Sequence, residues 1–118
     1  MNLPAVEPHL IWDGVVARVV ESERVTFALV ELEPGAVVPE HSHDNEQLGV
    51  LATGSVTFRI GQETRELGPG DAWSIPSNTP HEVTAGPGGA VAVEAFAPAR
   101  VDWAALERGP ATAPAWPS

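Results

Sequence analysis

The sequence predicts an all-β domain, a sandwich or barrel of short strands around one core. Gly and Pro, with 11 and 12 copies among 118 residues, interrupt the chain about every eight to twelve residues, a spacing typical of such folds. Val56, Phe58 and Ile60 alternate with small or polar residues, the pattern of a strand with one buried face. We find no internal repeat and no pattern of a long helix.

Further segments have the length and apolar content of strands, and we expect about nine or ten strands in all. The clearest segments are Val15–Val20, Val25–Leu32, Ala36–His43, Gln47–Ala52, Ser55–Ile60, Thr64–Leu67, Trp73–Ile75, His81–Ala85 and Ala90–Phe96. Gly54 is expected to form a turn, and Gly86–Gly89 a flexible connector. Val101–Arg108 is expected to form one or two helical turns, with Asp102 favourable near their start.

The length predicts one domain at residues 1–108, followed by a flexible, Pro-containing tail at 109–118. Apolar residues make up 43% of the chain, which is enough for a core. Because no run approaches the ~18 apolar residues of a membrane span and the first residues carry no basic side chain, we expect a soluble, cytoplasmic protein without membrane contact. The net charge of −10 argues against nucleic acid as a partner.

The residue types that are missing restrict the chemistry. Without Cys, Tyr or Lys, the chain has no thiolate metal ligand, no thiol nucleophile, no phenolic acid or base, and no amine for a Schiff base. Catalysis therefore depends on His, Asp, Glu, Ser, Thr, Arg or a bound cofactor.

Three of the four histidines occur as His41-x-His43 and His81. Side chains two apart on a strand point the same way, about 6.5 Å apart, so His41 and His43 can bind one metal ion. Gln47 returns to the same side if a strand resumes after the intervening turn, and a closed sheet can bring His81 across. The alternative is a pair of surface histidines on a polar turn.

Glu46 is the competing oxygen ligand, but it is one residue out of register with Gln47 and would point to the other face of the strand. Three imidazoles and one amide leave the metal its full positive charge, which favours an anionic substrate and a Lewis-acid role. The ligand types suit one divalent transition metal, Zn, Ni, Mn, Fe, Co or Cu.

Residues 12–97 resemble the cupin superfamily, whose fold is a small double-stranded β-helix, or jelly-roll barrel. The two cupin motifs match at Gly35, His41, His43, Gly54, Gly70, Pro76 and His81. Gln47 stands where the family usually has an acidic ligand, Asn78 where it has a Gly, and Ala85 where it has an Asn that is not a ligand. The resemblance implies that His41, His43, Gln47 and His81 hold one metal ion.

A second group of candidate residues lies in the stretch from Glu94 to Arg100. Glu94 and Phe96 share one face of the predicted last strand and could line a cavity, and Arg100 follows close behind. The alternative is structural, with Phe96 in the core and Glu94 either exposed to solvent or paired with Arg100.

The Gln-type metal motif together with this ending is similar to the KdgF-type cupins of pectin and alginate degradation. That resemblance implies conversion of a cyclic 4,5-unsaturated uronate, a small anionic sugar acid, to its linear keto form. It implies Glu94 and Arg100 as catalytic residues, and Phe96 and Arg100 as substrate-binding residues. The family usually has Asp at the position of Glu94.

Two other functions remain open, a cupin dioxygenase that uses Fe or Cu and a non-catalytic binder of a sugar or metabolite. By analogy with cupins we expect a homodimer, with Ile11, Trp12, Val15 and Val16 as candidates for its interface. Trp12, Trp73 and Trp103 are expected in the core or at an interface, and His9 is expected to have no chemical role.

Overall fold

Strands dominate the structure, a computed structural model that describes residues 2–117. The strands are β1 (His9–Trp12), β2 (Val15–Glu21), β3 (Thr26–Leu32), β4 (Val37–His41), β5 (Glu46–Ile60), β6 (Glu63–Leu67), β7 (Ala72–Ile75) and β8 (His81–Ala97). Short 3₁₀ helices span Leu3–Ala5 and Val101–Ala105. The all-β fold and the helical turn after the last strand are thus confirmed.

All strand pairs are antiparallel. The sheet has the order β1-β2-β3-β8-β5-β6, with β4 added on β8 and β7 on β5. The longest ladder of the sheet joins β5 and β8. It pairs Gln47 with Phe96 near one end and Ile60 with His81 at the other. Fully extended, 15 residues of β5 would span about 50 Å, whereas the longest dimension of the molecule is 37 Å. The ladder therefore bends back on itself and closes the jelly roll.

The bend corrects two sequence predictions. Gly54 does not separate two strands, because it lies inside β5, and Gly86–Gly89 is no flexible connector, because it lies inside β8. The register shifts beside Gly54, and a Cβ there would lie 2.0 Å from the Gly89 carbonyl oxygen. Glycine marks the point where two backbones touch as the ladder folds. Two pairs of predicted strands are thus continuous, and β1 is an additional strand.

We expect Gly54→Ala to lower the free energy of unfolding by about 2 kcal/mol or more, because a left-handed backbone and a backbone clash coincide there. The φ angle of Gly54 is +81°. Urea denaturation measures the effect. Gly88→Ala is the matched control, since a Cβ at Gly88 meets nothing within 4 Å. Equal effects of the two substitutions would contradict this account of the bend.

The segment after the helical turn contacts the sheet. The buried Arg18 guanidinium is paired with Glu31 at 2.7 Å and donates to the carbonyl and hydroxyl oxygens of Thr112. The Ala115 amide donates to Glu31 at 3.2 Å. These bonds hold the segment against β2 and β3, although its flexibility and the domain limits of 1–108 and 109–118 stay predictions. Met1 and Ser118 lie outside the described residues.

The proposed dimer face needs one correction. Val15 is 1% exposed and belongs to the core, so it cannot contribute to an interface, whereas Trp12 is 48% exposed on the neighbouring strand. The homodimer itself stays a prediction. Among the described residues, no helix is long and apolar enough to cross a membrane.

His9 is buried where β1 pairs with β2, and its Nδ1 has no hydrogen-bond partner in the described chain. Burial lowers the pKa of His9, and Arg108 nearby lowers it further. The unfolded chain, with a His pKa near 6.5, therefore binds more protons than the folded chain below that pH. The contribution of His9 to the free energy of unfolding is therefore largest above about pH 6.5, and it falls as the pH drops below that value.

We expect His9→Asn to reduce the loss of folding stability between pH 7 and pH 5, by up to about 1.4 kcal/mol per pH unit for one proton. Urea denaturation of the metal-free protein and its variant at several pH values measures this slope. The pKa values of His43 and His81 are lowered as well, so the variant keeps part of the slope that wild type shows. An identical slope in His9→Asn would contradict the assignment to His9.

Candidate metal centre

Three imidazoles converge at the end of the barrel where the β5–β8 ladder closes. His41 ends β4, and His81 begins β8 directly opposite His41 in the register. The expected strand over Ala36–His43 is too long, because His43 lies in the loop after β4. One nitrogen from each ring lies within 4.8 Å of the others. The chain-distant histidine thus meets the His-x-His pair, and this cluster could hold a metal ion.

Backbone carbonyls determine which ring nitrogen faces the cluster. The Nδ1 atoms of His41, His43 and His81 lie 2.8, 3.0 and 2.8 Å from the carbonyl oxygens of Pro39, Asn45 and Thr79. A carbonyl can only accept, so each Nδ1 carries the proton and each Nε2 presents a lone pair. Metal-binding histidines are oriented by hydrogen bonds of this kind.

Two of the Nε2 lone pairs in this cluster have no hydrogen-bond donor among the described residues. Nε2 of His43 lies 3.2 Å from Oε1 of Gln47, so two acceptors face each other. Nε2 of His81 is buried and has no partner among the described residues. A cation satisfies both arrangements, and the donor set therefore fits a metal ion. Gln47 is buried and Glu46 exposed, the orientation expected from their register.

Burial keeps two of these rings neutral. It lowers the pKa of His43, which the nearby Arg100 lowers further, and burial is also the main cause that lowers the pKa of His81 to about 4. Neutral imidazole is the form that binds a metal. The donor atoms do not distinguish among the six metals considered.

Glu94 lies next to the cluster, with its carboxyl group held by two donors. The Gln47 amide donates to Oε2 of Glu94, and Trp73 donates its indole N–H to the same oxygen at 3.1 Å. Glu94 is only 8% exposed, and this burial raises the pKa of its carboxyl group. Gln47 thus connects the imidazole cluster to a buried carboxyl group that can carry a proton.

Trp73 is the residue that sequence reasoning assigned only to the core or an interface. In the register, Gly49 of β5 lies between Trp73 of β7 and Glu94 of β8. A Cβ at Gly49 would lie 2.4 Å from the indole, so only glycine lets Trp73 lie across β5 and reach Glu94. A Gly at an inward position of a strand signals such a close approach.

Arg100 directly precedes the 3₁₀ helix that follows β8. Its guanidinium lies 4.9 Å from the ring centre of Phe96 and 4.3 Å from that of Trp103. Nε and Nη2 donate to the two oxygens of Asp102 at 3.1 and 3.0 Å. These bonds lower the pKa of Asp102. Arg100 therefore forms its ion pair with Asp102 and not with Glu94. From the sequence, Asp102 was expected only to favour the start of a helical turn.

One cavity of about 320 Å³ connects these groups. Its polar lining comes from His41, Gln47, His81, Glu94, Arg100 and Asp102. Phe96 lies in the same wall and contacts the His43 ring edge-on at 6.0 Å between ring centres. Glu94, Phe96 and Arg100 are thus placed together with the imidazole cluster, whereas their chemical roles stay predictions.

Comparisons with known proteins show which family model and which solved structures this chain resembles. The family model described as "Cupin domain" matches residues 28–96. KdgF from Halomonas sp. is 26% identical at a TM-score of 0.75, covering 81% of this chain and 89% of its own. An RmlC-like cupin from Shewanella frigidimarina, 20% identical at a TM-score of 0.81 over 87% and 93% of the two chains, supports the fold alone.

A further similar structure is an oxalate decarboxylase variant from Bacillus subtilis, 27% identical at a TM-score of 0.73. The match covers 83% of this chain but only 29% of the decarboxylase. A comparison with curated proteins gives no match.

Proposed function

Because this chain belongs to the cupin domain family, we propose that it is a metal-dependent enzyme that opens cyclic 4,5-unsaturated uronates to their linear keto forms. The observation that supports this most strongly is the cavity that Glu94 and Arg100 share with His41 and His81 of the imidazole cluster. The similarity to KdgF and the Gln-type metal motif suggest the substrate class.

His41, His43, His81 and the Gln47 carbonyl oxygen would hold the metal. When bound, the metal supplies a positive charge that polarises substrate oxygens and orients the sugar ring. The Gln47 amide group, held by Glu94, would keep its carbonyl oxygen directed at the cluster, as supporting hydrogen bonds do for metal ligands.

Glu94 would transfer the proton. In the reaction the C1–O5 bond breaks, the anomeric hydroxyl loses its proton and C4 gains one, so no atom is added or lost overall. A carboxyl group with a raised pKa can give a proton to C4 and then accept the one from the anomeric hydroxyl. The hydrogen bonds from Gln47 and Trp73 would stabilise the carboxylate formed in between.

Arg100 would bind the substrate carboxylate. Since Asp102 occupies its Nε/Nη2 edge, the Nη1/Nη2 edge is the one left for a bidentate contact. The aromatic rings on either side of the guanidinium hold it in place, and Phe96 would also shield one face of the sugar.

The test follows the absorbance of the C4=C5 double bond of unsaturated uronates after addition of protein loaded in turn with Zn, Ni, Mn, Fe, Co or Cu. Loss of absorbance with at least one metal, and none with the metal-free protein, is expected. Unchanged absorbance with all six metals would overturn the proposal.

We expect Trp73→Phe to lower kcat about tenfold while leaving KM nearly unchanged, because the variant loses the hydrogen bond to Glu94 and keeps an aromatic ring in the cavity wall. Phe retains a ring against Phe58, now 5.0 Å from the Trp73 ring, and removes only the N–H donor. One lost hydrogen bond to a charged group corresponds to about this change in rate. Steady-state kinetics measures it. A raised KM with unchanged kcat would contradict a positioning role.

A dioxygenase using Fe or Cu is the second candidate, favoured by the aliphatic side chains in the rest of the cavity wall, which suit an apolar substrate. Oxygen consumption by the Fe- or Cu-loaded protein with candidate substrates distinguishes it from the uronate reaction. A protein that binds sugars or metabolites without either reaction would be the non-catalytic alternative.

A further inference from the structure

Small side chains are common in the buried core of the barrel, and one of them, Ala92, lines the cavity. Alanine occupies core positions on β2, β3 and β8 and is 0 to 6% exposed at Ala17, Ala28, Ala85, Ala90 and Ala92. Larger residues at these positions would fill the centre, as they do in small barrels without a ligand. The 320 Å³ cavity lies within the range of small-molecule sites, about 300–1,000 Å³.

The cavity has a polar end and an aliphatic remainder. Starting from Phe96 at the polar end, the inward residues of β8 are Glu94, Ala92 and Ala90, and the last of these pairs with Leu32 of β3. Leu32 still lines the cavity, so the lining extends over about 20 Å of strand length. The aliphatic part of the lining includes Val15, Val30, Leu32, Val56, Val83 and Ala92, and the rings of three tryptophans and two phenylalanines line the cavity as well.

The two ends suit different chemical groups. Arg100 has one guanidinium edge that contacts no partner among residues 2–117, and such an edge pairs with a carboxylate. A hydroxyl group placed against the aliphatic wall would lose its hydrogen bonds to water without replacement. We propose that the aliphatic part of the cavity binds the hydrocarbon chain of an aliphatic carboxylate, whose head lies at Arg100. The inference rests on the proposed function for the role of Arg100, and it extends the ligand class beyond sugar acids.

Isothermal titration of the Zn-loaded protein with acetate, butyrate, hexanoate and octanoate tests this inference. Each methylene that leaves water should raise the affinity about fourfold, until the aliphatic part of the cavity is filled. An affinity that does not change with chain length would overturn the inference.

Ala92→Leu is the discriminating variant, because its side chain would project into the aliphatic part and leave the polar end intact. We expect unchanged affinity for acetate and a loss of at least tenfold for hexanoate. Ala92→Val adds less volume, serves if the leucine variant does not fold, and should give a smaller loss in the same direction. Equal losses for acetate and hexanoate would contradict the placement of the chain.

Turnover of unsaturated uronates by the same preparation separates the two proposals. Uronate turnover combined with a carboxylate affinity that does not change with chain length would overturn the inference alone. Affinity that rises with chain length, without uronate turnover under any of the six metals, would overturn the proposed function alone.

Discussion

Glu94→Gln is expected to lower kcat for uronate conversion by about 10²- to 10⁴-fold, the usual contribution of a general acid–base group. The amide keeps the size of the side chain and an oxygen that can accept from Gln47 and Trp73, which now donate to the carboxyl group. It cannot transfer a proton. Metal content, measured by elemental analysis, should therefore stay at the wild-type level while the loss of double-bond absorbance slows.

Glu46→Gln is the matched control for this variant. It makes the same chemical change next to Gln47, but on a side chain that is exposed, and it should leave kcat unchanged. Glu94→Asp restores a carboxyl group that is one methylene shorter, the residue usual in KdgF-type cupins, and should recover part of the lost activity. Near wild-type kcat in Glu94→Gln would remove Glu94 from the reaction.

His81→Ala is expected to weaken metal binding by more than about 100-fold. Losing even an outer hydrogen-bond partner of a metal ligand costs about 10- to 100-fold in affinity, and His81 would be a ligand itself. In the metal-free protein the substitution removes a buried nitrogen that has no partner among the described residues, so part of the packing loss is offset. The increase in Tm that wild type gains from the metal should disappear in the variant.

Competition with a chromophoric chelator measures the metal affinity, and thermal unfolding with and without metal measures the increase in Tm. His9→Ala provides the comparison, because it removes another buried imidazole that lies outside the cluster and should leave the metal affinity unchanged. Wild-type metal affinity in His81→Ala would show that the three imidazoles do not act together.

Much of the candidate site was predictable from residue spacing. The parity of β5 separates Gln47 from Glu46, whereas the spacing of His41 and His43 left a pair of surface histidines open, and the resemblance to cupins selected the metal site. The approach of His81 was predicted only through the condition that the sheet closes. The structure meets that condition, with the three ligand atoms within 4.8 Å of one another.

Other features depended on contacts that no local pattern describes. Trp73 reaches Glu94 only because Gly49 lies between them in the register, and Asp102 pairs with Arg100 within a turn that the sequence presents only as helical. Gly54 and Gly89 were interpreted as chain breaks because glycine has the same signature in a turn and in a bend between touching backbones.

The sequence by itself determined the strand periodicity, the all-β class and the identity of the groups able to bind a metal or transfer a proton. These properties follow from side-chain alternation and residue chemistry, which act over a few neighbours. Only the tertiary structure decided that one folded ladder brings both of its ends to the imidazole cluster, that Glu94 is held between Gln47 and Trp73, and that the interior stays open. These depend on pairing and burial between residues far apart in the chain, where the register of the whole sheet determines which side chains meet.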